Sequence, residues 1–254
     1  MESGSKLLVA QVAILVGVLG FWEILADAGI IDVVWLSSPT LIAAAFWKSV
    51  LANEITYHAY VTMQEAMAGL AVGAVVGIGL GLLLGVSRFV GAALEPFIIA
   101  LNSLPRVALA PLIIMFVGIG FASKFLLAFS LVVVPMMINT YEGIKSVEPV
   151  LLNVMKVFRA NRLQVFTKVL LPNCVPWIFS GLRVSISFAV IGAIVGELIS
   201  SRAGIGFMID TAAGNFDATG MLMPLFVLMI LTFALDRLVL RISRSLLRWR
   251  EGAH

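Results

Sequence analysis

The polar and ionisable side chains Glu65, Glu95, Asn102, Arg106, Asn139, Arg183 and Glu197 stand inside, or at the ends of, long apolar stretches. An ionisable group in hydrocarbon is costly and normally faces a bundle interior or water. Asn102 and Arg106 are therefore candidate contacts along a pathway for an anionic solute. Arg183 has a rival reading as a structural cation, paired with an acidic neighbour or snorkelling at a helix end. The single cysteine, Cys174, excludes an internal disulfide, and two histidines make no cluster with metal-ligand spacing. The glycines of 69–85 lack the following Lys and Ser/Thr of a phosphate-cradling loop. With no nucleophile constellation either, the residues offer recognition and passage of a solute, not covalent chemistry, and no cofactor is expected in this chain.

The elements that position these groups must sit in lipid. The 254 residues are 61% hydrophobic and 12% charged, with mean hydropathy +1.09. A water-soluble domain carries about 25% charge, so this chain has roughly half of what a water-facing surface needs. The net charge of +3 and the pI near 9.2 do not indicate nucleic acid, because the basic residues lie between apolar spans rather than on one soluble face.

A spanning helix needs about 20 mostly apolar residues, and six such stretches are expected, giving an all-α membrane protein. The first runs from about Leu7 to Ala26 and is too long for a cleavable signal core. Residues 27–60 are mixed, with an amphipathic helix expected from Pro39 along the membrane surface. The second span, Met63 to Val86, carries Gly69, Gly73, Gly77, Gly81 and Gly85, a stripe that lets another backbone approach closely in lipid. The third, Ala92 to Gly118, is interrupted by Asn102, Pro105, Arg106 and Pro111. Proline removes a backbone donor, and freed backbone at membrane depth must be buried in protein or line a wet cavity. A broken helix bordering the pathway is expected here. The fourth span covers Phe125 to Met137, extending towards Tyr141, the fifth Val175 to Glu197, and the sixth Met221 to Leu240. Residues 142–173 form a charged amphipathic loop, and 200–220 an amphipathic hairpin or re-entrant piece. His58 is expected on the outer surface. Cys174 and the methionines of 208–229 are expected as packing residues.

Basic residues favour the cytoplasmic side. With the N-terminus inside, that side receives Lys6, Arg88, Lys145, Lys156, Arg159, Arg162, Lys168, Arg237, Arg241, Arg244, Arg248 and Arg250, while the outside receives Lys48, Lys124 and Arg202. Both termini and the 142–173 loop are thus expected in the cytoplasm.

Within that loop stand Asn153-Val154-Met155, then Arg159, then Val169-Leu170-Leu171-Pro172. The spacing resembles the cytoplasmic loop of permease subunits of binding-protein-dependent ABC importers: Glu-Ala-Ala, three residues, Gly, nine residues, Ile-x-Leu-Pro. Asn153 stands where that family has Glu, Val154 and Met155 replace the alanines, and Arg159 occupies the Gly position. Stretches 103–124, 171–198 and 202–209 resemble the nitrate/sulfonate/taurine branch, and the likeness covers most of residues 60–245.

The resemblance implies the type I importer permease fold in a bacterial inner membrane. It makes 1–254 one permease domain, with 1–60 a first helix and peripheral segment and 61–245 a core. It also implies a coupling helix, here bet on residues 153–163 with Ala160 and Asn161 among them, docking on a separate ATPase subunit that binds ATP and Mg. Two ATPase copies, a second permease copy and an extracytoplasmic solute-binding protein would complete the transporter, with no nucleic acid partner. The solute would be nitrate, a sulfonate, taurine or a similar small anion, moved by alternating access. The alternative is a secondary transporter driven by an ion gradient, which would show internal repeats and paired broken helices.

Overall fold

Runs of Leu, Ala, Val, Ile and Met in lipid leave the backbone no hydrogen-bond partner but itself, so the apolar stretches must be helical. The computed structural model, which describes residues 4–247, contains only helices and connections among the described residues. In order these are α1 (Gly4–Asp27), α2 (Val33–Leu36), α3 (Pro39–Leu51), α4 (Glu54–Val86), α5 (Arg88–Ser103), a 3₁₀ turn (Arg106–Leu109), and α6 (Ala110–Val117). Then follow α7 (Phe121–Lys145), α8 (Pro149–Val157), α9 (Arg162–Val165), a π-helical segment (Phe166–Leu170), α10 (Leu171–Ile199), α11 (Ile205–Gly214) and α12 (Ala218–Leu246). Five of the helical runs are long and apolar enough to cross a membrane, and α5 with α6, a pair bent by 74°, meets the same measure when the two are taken together. Arg248 and Arg250, counted above as cytoplasmic charges, lie outside the described residues.

The centre of the bundle is α7, held between α4 and α10. The glycine stripe of α4 does what its spacing predicts. A Cβ on Gly73 would come 2.7 Å from Val132 Cγ1, on Gly77 2.5 Å from Met136 Cβ and 2.6 Å from the Val133 carbonyl, and on Gly81 2.6 Å from the Met137 carbonyl. On the opposite flank a Cβ at Gly192 would meet Ala128 Cα at 2.5 Å, and one at Gly196 would meet Lys124 Cγ at 2.8 Å. Between helices in lipid, where burying apolar surface yields little, such backbone approach supplies the dispersion contact that holds them together. Ala66, Leu70, Ala74, Val132, Met136, Ile186, Ala189, Val190 and Ala193 form the core that results.

A second apolar cluster, Ile42, Ile55, Ile205, Ile209 and Met223, gathers α3, α11 and the start of α12 against the start of α4. Met208 packs beside it, and Cys174 is fully buried, as expected of both. By contrast α1 buries almost none of its spanning surface. It meets the remainder through Trp22 stacked on Phe226 at 6.2 Å and through Glu23, which accepts from the Thr40 amide and hydroxyl.

Several expected boundaries are corrected. The fourth span runs from Phe121 to Lys145, the sixth from Ala218 to Leu246, and the second begins at Glu54. The loop expected over 142–173 narrows to 146–161, because α7 continues to Lys145 and an unbroken helical run covers Arg162–Ile199. The physical reason is the same throughout: helices extend past the hydrocarbon, and their polar ends read as loops in sequence. Pro172 is accommodated in that run by the π-helical turn before it. A proline ring clashes with the carbonyl four residues back. Here the Leu171 amide bonds five residues back to the Phe166 carbonyl, widening the helix where the clash would fall.

Candidate functional site

The break expected in the third span lies between Ser103 and Arg106, where Pro105 forbids helix continuation, and it brings both candidate pathway residues to one cavity. Asn102 at the end of α5 and Arg106 in the 3₁₀ turn line a cavity of about 390 Å³ with Leu104, Leu131, Pro135, Ile138, Asn139 and Phe188. Arg106 donates through one guanidinium nitrogen to the Ser130 carbonyl at 3.1 Å and through the other to Asn102 Oδ1 at 3.2 Å. Pro135 on the facing helix leaves the Leu131 carbonyl without its helical donor, and both residues line the cavity. The cavity is thus a mostly apolar chamber with one guanidinium and two amides, a composition suited to weak recognition of a small solute. Asn139 was visible in sequence as a polar group in a span, whereas Phe188 gave no signal.

The other sequence candidates separate. Arg183 pairs with Asp236 at 2.8 and 3.1 Å, the structural role weighed above, and is not part of the cavity. Glu95 meets Lys145 at 3.5 Å. Glu65 and Glu197, 3% and 1% exposed, lie with Lys124 in a buried polar cluster among α4, α7 and α10. His58 is half-buried rather than superficial. Its Nδ1 accepts from the Gly204 amide at 2.9 Å and its ring stacks on Phe207.

At the opposite end of the bundle α8 and α9 form a helical hairpin. Asn153, Val154 and Met155 lie on α8, Arg159 and Ala160 in the turn, and Asn161 caps α9. The turn is a Schellman motif: the Ala160 amide donates to the Met155 carbonyl and the Arg159 amide to the Lys156 carbonyl, both at 2.9 Å. Arg159 occupies its left-handed position at φ 51°. Asn161 and Gln164 then complete a capping box, each side chain accepting from the other's amide at 2.8 Å. Val157 and Phe158 at the tip are 80% and 79% exposed. Leu171 and Pro172 do not join this tip. They stand ten residues up the following helix, about 15 Å along its axis. There Asn173 donates to the Gly143 carbonyl at 2.9 Å and to Ser146, fastening the base of the hairpin to α7.

A multi-pass helical bundle with a bent helix pair beside a mostly apolar cavity that holds one guanidinium and two amides is the architecture of an integral membrane protein. Residues 73–248 match the binding-protein-dependent transport system inner membrane component family, and the chain belongs to it. Among its relatives are a Bacillus subtilis protein named as an aliphatic sulfonates transport permease, 30% identical over 92% of this chain and 85% of that one. Another is the riboflavin transport system permease protein of Chloroflexus aurantiacus, 33% identical over 85% and 81%. In fold it is similar to a chain of the MetNI methionine ABC transporter in an inward-facing conformation, with TM-score 0.65 and 20% identity, covering 73% of this chain and 93% of that chain. The chain is therefore an inner-membrane permease of an ABC importer, of the nitrate/sulfonate/taurine branch and with the type I fold. Its family works with an ATPase and a solute-binding protein.

Proposed function

We propose that the chain pairs with a second copy to form the translocation pathway for a small anionic solute such as nitrate, a sulfonate or taurine. Two ATPase subunits drive it by alternating access, with both termini and the α8–α9 hairpin on the cytoplasmic face. One observation carries the reading: Val157 and Phe158 project from a doubly capped turn with four-fifths of their surface bare. Large exposed apolar side chains gathered on one capped turn, with Val154 and Leu163 also exposed beside them, mark a protein contact. In this family that contact is the ATPase. Residues Asn153 to Leu163 would fill a groove of that subunit and carry its closure into the membrane helices. Domain closure of the ATPases on ATP would open the cavity outward, and hydrolysis would reset it.

The solute class rests on Arg106, the cation nearest the centre of the kinked span, with Asn102 and Asn139 beside it. Family membership leaves the ion-gradient alternative without support. Deleting residues 153–163 should abolish co-purification of the ATPase, and association that survives the deletion refutes the coupling assignment. Ligand screening of the cognate binding protein against nitrate, taurine and alkanesulfonates identifies the solute. Arg106→Ala should then lower its uptake at least fivefold with the ATPase still bound, and unchanged uptake removes Arg106 from the pathway.

A further inference from the structure

The amides of Gly204, which caps α11, and of the first two residues of that helix are all taken by side chains of other helices. Gly204 donates to His58 Nδ1 at 2.9 Å, Ile205 to Thr62 Oγ1 at 2.8 Å and Gly206 to Glu197 Oε2 at 2.6 Å. Thr62 in turn donates to Glu197 Oε1 at 2.7 Å, which joins α4 to α10 through the same groups. Thr62, Glu197 and Ile205 are 0–1% exposed. The fit admits nothing larger than glycine in two places: a Cβ on Gly204 would overlap the Glu197 carboxyl, and one on Gly206 would come 2.6 Å from Glu197 Cβ. Helix N-termini leave their amides unpaired. Here three such donors are satisfied by two spanning helices, away from water, where hydrogen bonds are stronger and their loss dearer.

The carboxyl that receives α11 stands two residues before the end of the helical run that begins at Arg162, directly after the coupling turn. That run of 38 residues is about 57 Å long, so one continuous helical run joins the α8–α9 hairpin to α11. We propose that Glu197, with Thr62, is a positioning residue for transport: it locks α11 to α10 and α4, so that displacement of the α8–α9 hairpin moves α11 at the opposite membrane face. The inference rests on the reading of α8–α9 as the ATPase contact. Glu65, Lys124 and His58 face the same cluster, and the lock assigned to Glu197 is its acceptor geometry.

The test uses the full chain in complex with its ATPase in lipid nanodiscs, with ATP and vanadate as the probe. A reporter thiol is placed on the exposed face of α11 by Asp210→Cys and, in a separate chain, on α8 of the hairpin outside the coupling contact by Val150→Cys. The native Cys174 is buried and stays silent. Trapping with ATP and vanadate should change the maleimide reaction rate at least threefold at both reporters. Adding Thr62→Val, which keeps shape and removes the hydroxyl, should cut the change at α11 to under 1.5-fold while leaving it at the hairpin. Thr62→Ser should restore it, and Glu197→Gln, which keeps an acceptor for Gly206, should retain it.

A Thr62→Val complex that shows the parent's full change at α11 overturns the proposal. So does a parent in which the hairpin responds and α11 does not. If Thr62→Val fails to assemble, Thr62→Ala decides, since a full α11 change in that variant also overturns it. No response at the hairpin of the parent refutes the coupling assignment instead.

Discussion

Arg159 holds a backbone conformation that its side chain disfavours, at the Gly position of the loop motif that the sequence resembles. At φ 51° an L-residue costs about 1–2 kcal/mol relative to right-handed helix. Glycine escapes that cost but loses about 0.5–1 kcal/mol in chain entropy, so Arg159→Gly should stabilise the turn by up to about 1 kcal/mol. A β-branched residue is a greater misfit for this region, and Arg159→Val should weaken the turn by about 1 kcal/mol or more. The two variants should thus differ by about 2 kcal/mol, roughly a thirtyfold change in the closed-to-open ratio of the hairpin tip. The amides of Arg159 and Ala160 report this directly, because both are bonded only while the Schellman turn is closed. Hydrogen exchange of the segment 153–163 in nanodiscs should slow in Arg159→Gly and speed in Arg159→Val, with Arg159→Gln close to the parent as a charge control. ATPase association should follow the same order. Equal exchange in the Gly and Val variants would refute the reasoning, since it would mean that the left-handed turn is not the state being protected.

Two further outcomes follow from packing and pairing. Gly77→Ala should lower the detergent melting temperature by several degrees or prevent assembly, because Met136 Cβ and the Val133 carbonyl leave no room. Gly79→Ala on the same helix meets nothing within 4 Å and should be neutral, and equal effects of the two would deny the α4–α7 contact. The Arg183–Asp236 pair is bidentate but 43% and 28% exposed, so a double-mutant cycle on thermal stability should give a coupling near or below about 1 kcal/mol. A value several times larger would show the pair to be shut away from water in the assembled transporter.

Periodicity and breakers made the bundle readable. A glycine every fourth residue announced that another backbone packs on α4, though not that it is α7, and Pro105 with Pro111 announced the break beside which Asn102 and Arg106 line one cavity. The loop spacing located the hairpin, but not its limits, because Glu142, Lys145, Arg162 and Lys168 are polar ends of helices and look like loop in a linear chain. The tie on α11 was hidden for a different reason. Thr62 and Glu197 are 135 positions apart, and nothing local to either says that they meet. The left-handed turn was hidden at Arg159 because arginine carries no preference for it.

The glycines on both flanks of α7 constrain how this subunit changes shape. With Ala128 wedged against α10, and Val132 and Met136 against α4, at backbone range, α7 cannot slide by even one residue without driving its side chains into a neighbouring main chain. Packed interiors resist such small displacements and switch, when they do, between discrete arrangements. Helices α4, α7 and α10 therefore behave as a solid hub, and the freedom to open and close belongs to what is hung on it more loosely: α1, and the bent arm of α5 and α6 that carries Arg106.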